Sequence, residues 1–515
     1  MQENKEQRPY FMNYSHSIYT RASNQPRALS MLSLLILLLN LTNHAFGENP
    51  AIKAILTNKG LQYGSHIGAD WMQEKIWSMI IPDISGGVDI GIGTVHYVLD
   101  GISVSGCDVP EPSVEFYEGV GLKTGISGFS ISMKGNWHTR FGIISDGGSF
   151  DLAVFNVDVT SVVQLGSDYS GHISISSENC DARISKASIT FHGGASFIFQ
   201  PFVTLFKDQM TALIEEKICP MVEEHVTDLD QHLAEMQVSF KVNSALVLDI
   251  PLTNPPLVES IGLGLDLKGE FYSVQSHTDP PFKAEHFDLP KDDGHMLSLG
   301  LSEFTVNSAS YGYFSAGLLQ AKINDSMIPK TSPFRLNTTS FGPLIPQLPK
   351  LFPNMLMELQ VYARDVPMFS FQADKVTQEF PGAIKAFAIQ PNASRTPLFN
   401  LNVDSIFRGM IRISEEKLQG LMKLNNFTLT LASSEVGTFQ TAALEKIVKM
   451  GVEVSVLAKL NAKLEEGIAL PTMHHIHLVN PVLKIQQGFV SIASDLDVKS
   501  AERESISEGI YPYQL

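Results

Sequence analysis

The chain has few cysteines and tryptophans, three of each, and only 18% of its 515 residues are charged. It contains no run of about twenty apolar residues, so no segment has the length of a bilayer-spanning helix. Short catalytic signatures are also missing. There is no Gly-x-Ser-x-Gly nucleophile elbow, no His-Glu-x-x-His zinc helix and no phosphate-cradling Gly-x-x-x-x-Gly-Lys-Ser/Thr loop, which points to a non-enzymatic protein. Basic residues are scarce where a nucleic acid would need them. From Glu48 to Ile250 there are 11 Lys and Arg against 25 Asp and Glu, a balance of −14 that argues against a nucleic-acid partner.

The amino terminus reads as a leader. Met31–Leu41, MLSLLILLLNL, follows Arg21 and Arg27 and precedes Ala45-Phe46-Gly47, the order of charge, apolar core and small-residue cleavage site in a secretory signal. Residues 1–47 are therefore read as an N-terminal extension and signal peptide, cleaved after Gly47, and the mature protein is expected outside the cell. The leader carries four basic and two acidic residues, so the formal charge of −17 becomes about −19 on cleavage. Three cysteines, Cys107, Cys180 and Cys219, allow one disulfide and one free thiol in that setting, and spacing alone leaves all three pairings open. The Asn-X-Ser/Thr sites at Asn324, Asn337, Asn392 and Asn426 predict glycans on exposed loops.

Periodicity divides the rest. Ile52, Leu56, Gly60, Tyr63, Ile67 and Trp71 fall at steps of three and four, which predicts an amphipathic helix over 49–81 that stops before Pro82. From Gly87 to Phe191 the pattern alternates, as in Phe129/Ile131/Met133 and Phe150/Leu152/Val154, which predicts a meandering antiparallel sheet. A second helix carries Val203, Phe206, Met210, Ile214, Ile218, Met221, Leu229, Leu233 and Met236 on one stripe, with Pro220 kinking it. Ile261, Leu263, Leu265 and Leu267 alternate as a strand, and Pro280, Pro281 and Pro290 then make 274–295 an extended linker over the surface. The second half repeats the order: strands from His295 to about Leu336, a short helix within 344–352, strands over 355–431, a long helix over 439–464 and terminal strands over 476–498. Residues 499–515 form a polar tail. The fold class is α+β, with domains at 48–273 and 296–498.

The stretches LKGEFYSVQSHTDPPF (Leu267–Phe282), AKINDSMIPKTSPFRLNTTSFG (Ala321–Gly342), LFPNM (Leu351–Met355), KAFAIQPNAS (Lys385–Ser394), KLEEGIALPT (Lys463–Thr472) and NPAIKAILTNKGLQYGS (Asn49–Ser65) resemble the secreted family of bactericidal/permeability-increasing protein and lipopolysaccharide-binding protein, from Asn49 to about Val498. The resemblance implies a boomerang of two similar lipid-binding barrels joined by a central sheet, each a curved antiparallel sheet with a long amphipathic helix. It implies a single bridge, Cys180–Cys219, closing a loop of 39 residues. It also implies no cofactor other than bound phospholipid, lipopolysaccharide as ligand, transient contact with a membrane or lipid-particle surface, and a role in innate, antimicrobial defence against Gram-negative bacteria.

The candidate sites follow. Ile52, Leu56, Tyr63, Ile67 and Trp71, with Val203, Phe206, Met210 and Ile214, would line an acyl-chain groove, since each methylene removed from water contributes about 0.8 kcal/mol. The tip segment GGVDIGIGTVHY (Gly86–Tyr97) has no Lys or Arg where the family places lysines against lipid A phosphates. Lys134, His138 and Arg140, around Trp137, are the remaining candidates for phosphate contact. That departure and the acidic charge give extracellular transfer of phospholipid or neutral lipid as the alternative function. His474, His475 and His477 have no carboxylate or cysteine nearby to complete a metal set, so no metal is expected.

Overall fold

A computed structural model describes residues 48–498 apart from 78–80, 90, 195–202, 329, 331, 333, 415–416 and 470–475. The first strand, β1 (Ile52–Thr57), runs directly into helix α1 (Asn58–Trp77). Thr57 marks the switch: its Oγ1 accepts the Gly60 N–H at 3.4 Å, satisfying one of the helix's orphan donors. Gly60 is needed for close approach, since a Cβ there would lie 2.5 Å from the Met296 carbonyl oxygen. Ile52 and Leu56 therefore belong to a strand and not to the expected helix. A spacing of four fits both a helical turn and two steps of a strand, so periodicity could not separate the two at that point.

The first barrel is a long meander: β2 (Ile84–Asp89), β3 (Thr94–Asp108), β4 (Ser113–Tyr117), β5 (Gly121–Phe141), β6 (Ile144–Ser167) and β7 (Ile173–His192), ordered β2-β3-β5-β6-β7 with β4 on β5. Every pairing is antiparallel, and register shifts in the long strands bend the sheet. Helix α2 (Val203–Ala234), with Pro220 inside it, lies along edge strand β7. Its inward side chains Val203, Ile214 and Ile218 pack on a core of Leu99, Trp137, Phe150, Leu152, Val154 and Phe191.

Short strands β8 (Ser239–Lys241), β9 (Leu246–Asp249), β10 (Leu257–Glu259), β11 (Gly262–Leu267) and β12 (Glu270–Ser273) lead to β13 (Leu297–Ser302). Residues 274–295 hold neither helix nor strand, but they are not loose. Phe282 meets Phe304 and Tyr311 edge-on at 5.9 and 6.3 Å, and buried Phe287 stacks on Phe489 at 4.7 Å.

Helix α3 (Glu303–Ser315) follows β13 where strands were expected. Its buried positions are Thr305, Asn307, Ser308 and Gly312, so it has no apolar stripe to betray it. Small polar groups suit this face because Asn307 pairs with the Phe369 backbone in both directions, at 2.6 and 3.0 Å. The second barrel comprises β14 (Gln320–Asn324), helix α4 (Leu348–Leu351), β15 (Leu356–Ala363), β16 (Met368–Gln372), β17 (Lys375–Ile389), β18 (Arg395–Ser414) and β19 (Lys417–Ser434). Helix α5 (Ala442–Gly451) continues through a π-helical turn, Val452–Leu457, into α6 (Ala458–Glu466). Two-residue β20 (Ile468–Ala469) pairs with β19, and β21 (Ile476–Ile485) and β22 (Phe489–Val498) are the last described strands.

The central sheet has the order β10-β11-β1-β13-β22-β21. It draws three strands from each half of the chain, so 48–273 and 296–498 share one hydrogen-bonded ladder. The β1–α1 and β13–α3 units repeat the same strand-into-helix step from neighbouring strands of that sheet.

Ion pairs across this framework give a pH prediction. The Lys59 ammonium, 2.8 Å from Asp495 Oδ1, holds the Asp495 carboxyl below its usual range although burial opposes it. Burial also pushes Asp168 up, but hydrogen bonds from the His172 backbone and ring and from the Ser170 N–H outweigh it and leave its pKa lowered. A depressed folded-state pKa gives stability that is present above the unfolded value, about 4, and is lost as pH falls through the folded one. Urea midpoints should therefore be flat above about pH 5 and fall below about pH 4. Asp495→Asn should weaken that fall; an identical acid limb in the variant would refute the assignment.

Candidate lipid groove and distal face of the first barrel

The helix α2 is bolted to the free edge of β7. The Ile184 N–H donates to Glu215 Oε1 at 2.6 Å, the Ile175 N–H donates to Asp230 Oδ1 at 2.7 Å, and the Cys180–Cys219 disulfide lies between these contacts with Cα atoms 5.7 Å apart. An edge strand otherwise presents open donors to any passing chain, and here helix carboxylates take them. The second barrel repeats the device without a disulfide. The Leu429 N–H donates to Glu445 Oε2 at 3.0 Å, and Asn461 exchanges two hydrogen bonds with the Met422 backbone at 2.8 and 2.9 Å.

Between helix and sheet, packing changes along the barrel. At the distal end the inner positions are sealed: Trp137, Phe150 and Leu152 are about as buried as side chains can be. Trp137 meets Phe191 edge-on at 6.0 Å, and its Nε1–H donates to the His192 carbonyl at 3.1 Å. Towards the middle, the inner positions Phe129, Val159 and Ile184 are only half-buried, as are Ile214 and Ile218 on the helix. Apolar side chains left open in this way can take acyl chains. Along the barrel helices, Trp77, Met221 and Leu229 in the first half and Met450, Val454, Val456 and Leu460 in the second are exposed, an unusual load of apolar surface.

The expected lining residues separate accordingly. Val203 and Ile214 lie on α2 against the barrel core, and Ile67 is half-buried on α1. Ile52 and Leu56 sit in the central sheet, opposite Leu267 and Leu263 of β11. The Tyr63 hydroxyl donates to Asp497 Oδ1 at 3.3 Å, tying α1 to the last strand. The side chains of Trp71, Phe206 and Met210 lie outside the described residues. Sequence reasoning missed Val159 and Ile184. Both lie within the alternating stretch read as sheet, and only the gradient of burial distinguishes them.

Lys134, His138 and Arg140 share the outward face of β5, alternating with buried Gly135 and Trp137. The strand rise of about 3.4 Å per residue puts His138 and Arg140 about 7 Å apart and Lys134 about 20 Å from Arg140. Sequence proximity thus grouped residues that can meet different anionic groups but not one. His138 Nε2 lies 3.2 Å from Asp100 Oδ2, whereas among the described residues Lys134 and Arg140 have no carboxylate within ion-pair distance. Cys107, the free thiol, is half-buried, and burial, then the Asp108 charge, pushes its pKa up, so it is a poor nucleophile. His474 and His475 lie outside the described residues, and among those described no cluster could hold a metal ion.

Two family models, the N-terminal and C-terminal domains of the LBP / BPI / CETP family, match residues 60–229 and 240–498. The chain belongs to this family. It is 36% identical over 450 residues to the bactericidal permeability-increasing protein of Sebastes schlegelii, covering 87% of this chain and 95% of that one. It is 29% identical to human lipopolysaccharide-binding protein, covering 91% and 98%. A crystal structure of lipopolysaccharide binding protein superposes with a TM-score of 0.57 at 26% identity, covering 87% of this chain and 99% of that one. The two-barrel α+β fold is that of the family, which consists of lipid-binding proteins. Among the described residues no helix is long and apolar enough to cross a membrane.

Proposed function

We propose that this protein is a secreted, non-enzymatic host-defence protein that holds phospholipid-like tails in its grooves and binds bacterial lipopolysaccharide through the outer face of the first barrel. The observation that carries the reading is the outward row on β5, where Lys134 and Arg140 make no ion pair among the described residues, in a domain that is otherwise acidic. Two separated cations suit a ligand with two anionic groups, and charge-assisted hydrogen bonds to phosphate are the strong kind. The kinship to a bactericidal permeability-increasing protein supports the same reading.

Lys134→Ala with Arg140→Ala should weaken lipopolysaccharide binding at physiological salt by about tenfold or more, since a hydrogen bond to a charged group contributes about 1.5–3 kcal/mol. Titration calorimetry of the full secreted chain against lipopolysaccharide tests this, and equal affinity of variant and wild type would sink it. Phospholipid should co-purify with the chain and appear in its native mass spectrum.

The sequons are proposed glycan sites. Asn324, Asn392 and Asn426 are exposed and Asn337 is half-buried, but Asn324 ends β14 and Asn426 lies within β19, so the expectation of loops fails for those two.

A further inference from the structure

The outer face of the second barrel carries a polar hollow that the lipid grooves do not explain. Lys322 of β14, Gln360 of β15 and Lys385 of β17 stand directly opposite one another in register, so their side chains leave the sheet on one face. Strands lie about 4.8 Å apart, which sets the two lysines about 10 Å from each other. The end of helix α3 forms a wall beside them. The helix stops before Gly317, whose φ is 67°, and the Gln320 Nε2–H donates to the Gly317 carbonyl at 2.8 Å. Gln360 Nε2 donates in turn to Gln320 Oε1 at 3.4 Å, so the two amides are held in place. Two adjoining hollows meet at this pair. One, of about 480 Å³, is lined by Gln320, Lys322, Gln360 and Arg395; the other, of about 220 Å³, shares both glutamines and adds Leu319, Tyr362 and Lys385.

We infer that this hollow binds an acidic saccharide, a sugar carrying two carboxylate or phosphate groups. The inference goes beyond the lipid-binding reading and rests on the second barrel alone. Among the described residues neither Lys322 nor Lys385 makes an ion pair, whereas Glu358 and Asp404 of the same sheet are already taken by Arg395 and Arg364. Two unneutralised ammonium groups thus stand together in a chain whose net charge is −17. Lysine is a flexible point charge that suits either acid group. Gln360 lies between them and keeps its carbonyl oxygen and a second N–H unpaired among the described residues. An amide that both accepts and donates matches sugar hydroxyls, which do the same. A nucleotide fits less well. Lys385 covers the Tyr362 ring at 5.2 Å and Arg395 the Phe387 ring at 5.4 Å, so the platforms on which a base would stack are occupied. The larger hollow falls within the range of small-ligand sites, about 300–1,000 Å³, but its amide and cationic lining suits no acyl chain. Asn324, a proposed glycan site, lies two positions from Lys322 on the same face of β14. Two sources of saccharide therefore fit, the chain's own glycan and one from outside.

The test is titration calorimetry of the full chain, before and after enzymatic deglycosylation, with disialic acid, glucose bisphosphate, lactose and inorganic phosphate. At least one of the two acidic sugars should bind about tenfold or more tighter than lactose at about 0.15 M salt. Lys322→Ala with Lys385→Ala should weaken that binding about tenfold or more. Both lysines are exposed, so the urea midpoint of the double variant should match wild type. Gln360→Ala should weaken the sugar and leave inorganic phosphate unchanged. Binding before deglycosylation assigns the hollow to a saccharide from outside. Binding that appears only afterwards assigns it to the chain's own glycan, and Asn324→Gln should then expose the site as deglycosylation does. Binding in neither preparation, equal affinity of the lysine double variant, or inorganic phosphate as tight as the sugars each overturns the inference. The variant Lys134→Ala with Arg140→Ala should bind the sugars like wild type; loss of binding there also overturns the inference and moves the contact to the first barrel. None of these probes carries a lipid, so failure here leaves the lipopolysaccharide reading standing, and failure of that reading leaves this one.

Discussion

Replacing Cys180 and Cys219 together by serine should lower stability by about 3–4 kcal/mol, the loop-closure entropy of a 39-residue loop. The structure says where that loss falls. The bridge joins β7 to α2 between two backbone-to-carboxylate bonds, Ile175 to Asp230 and Ile184 to Glu215. Without the crosslink, those bonds alone hold the helix on the strand, so Glu215→Ala should cost more in the serine background than in the oxidised protein. Neighbours that share one contact surface are not additive. Urea denaturation of the four species reads the coupling directly. A serine double variant within about 1 kcal/mol of wild type would show that the bridge constrains little beyond what the carboxylates already do.

The second barrel is the internal control. There Glu445 and Asn461 hold α5 and α6 on β19 with no crosslink. In each half the helical segment thus meets its strand through two polar side chains at similar spacing, 15 positions in the first half and 16 in the second. The repeat lives in this shared geometry, and it survives where matching residues have diverged.

That contrast explains what was legible in the chain. Long strands with strict alternation, such as Phe150/Leu152/Val154, read correctly because one face of a packed sheet must be apolar. The stripe on α2 read correctly only in part: Val203, Ile214 and Ile218 pack on the core, whereas Met221 and Leu229 are exposed and Met236 lies past the end of the helix. Helix α3 did not, because its buried face is Thr305, Asn307, Ser308 and Gly312, chosen for close polar packing. Ile52 and Leu56 were misplaced because a spacing of four serves both periods. Local pattern reports what a face is made of, whereas a site depends on which faces meet.

Trp137→Ala should be the most damaging single substitution in the first barrel, at about 3–5 kcal/mol. Trp137 is 1% exposed. It fills the distal end against Phe150 and Phe191, and its Nε1–H is the donor to the His192 carbonyl. The alanine variant opens a large cavity and leaves that carbonyl short of a partner. The neighbouring chain leaves no room for compensation: a Cβ at Gly148 would lie 2.0 Å from the His192 carbonyl oxygen, so no larger residue there can fill the gap cheaply. Trp137→Phe should keep most of the packing and lose the hydrogen bond, for about 1–2 kcal/mol. Because Trp137 alternates with His138 and Arg140 on one strand, a softened core should also blur the outward row. Lipopolysaccharide affinity is therefore expected to fall in the alanine variant and to hold in the phenylalanine variant. Measured together, denaturation midpoints and binding isotherms decide whether the sealed distal core supports the outer face. Unchanged binding in an alanine variant that has lost several kcal/mol of stability would show that the row is positioned by the ladder alone.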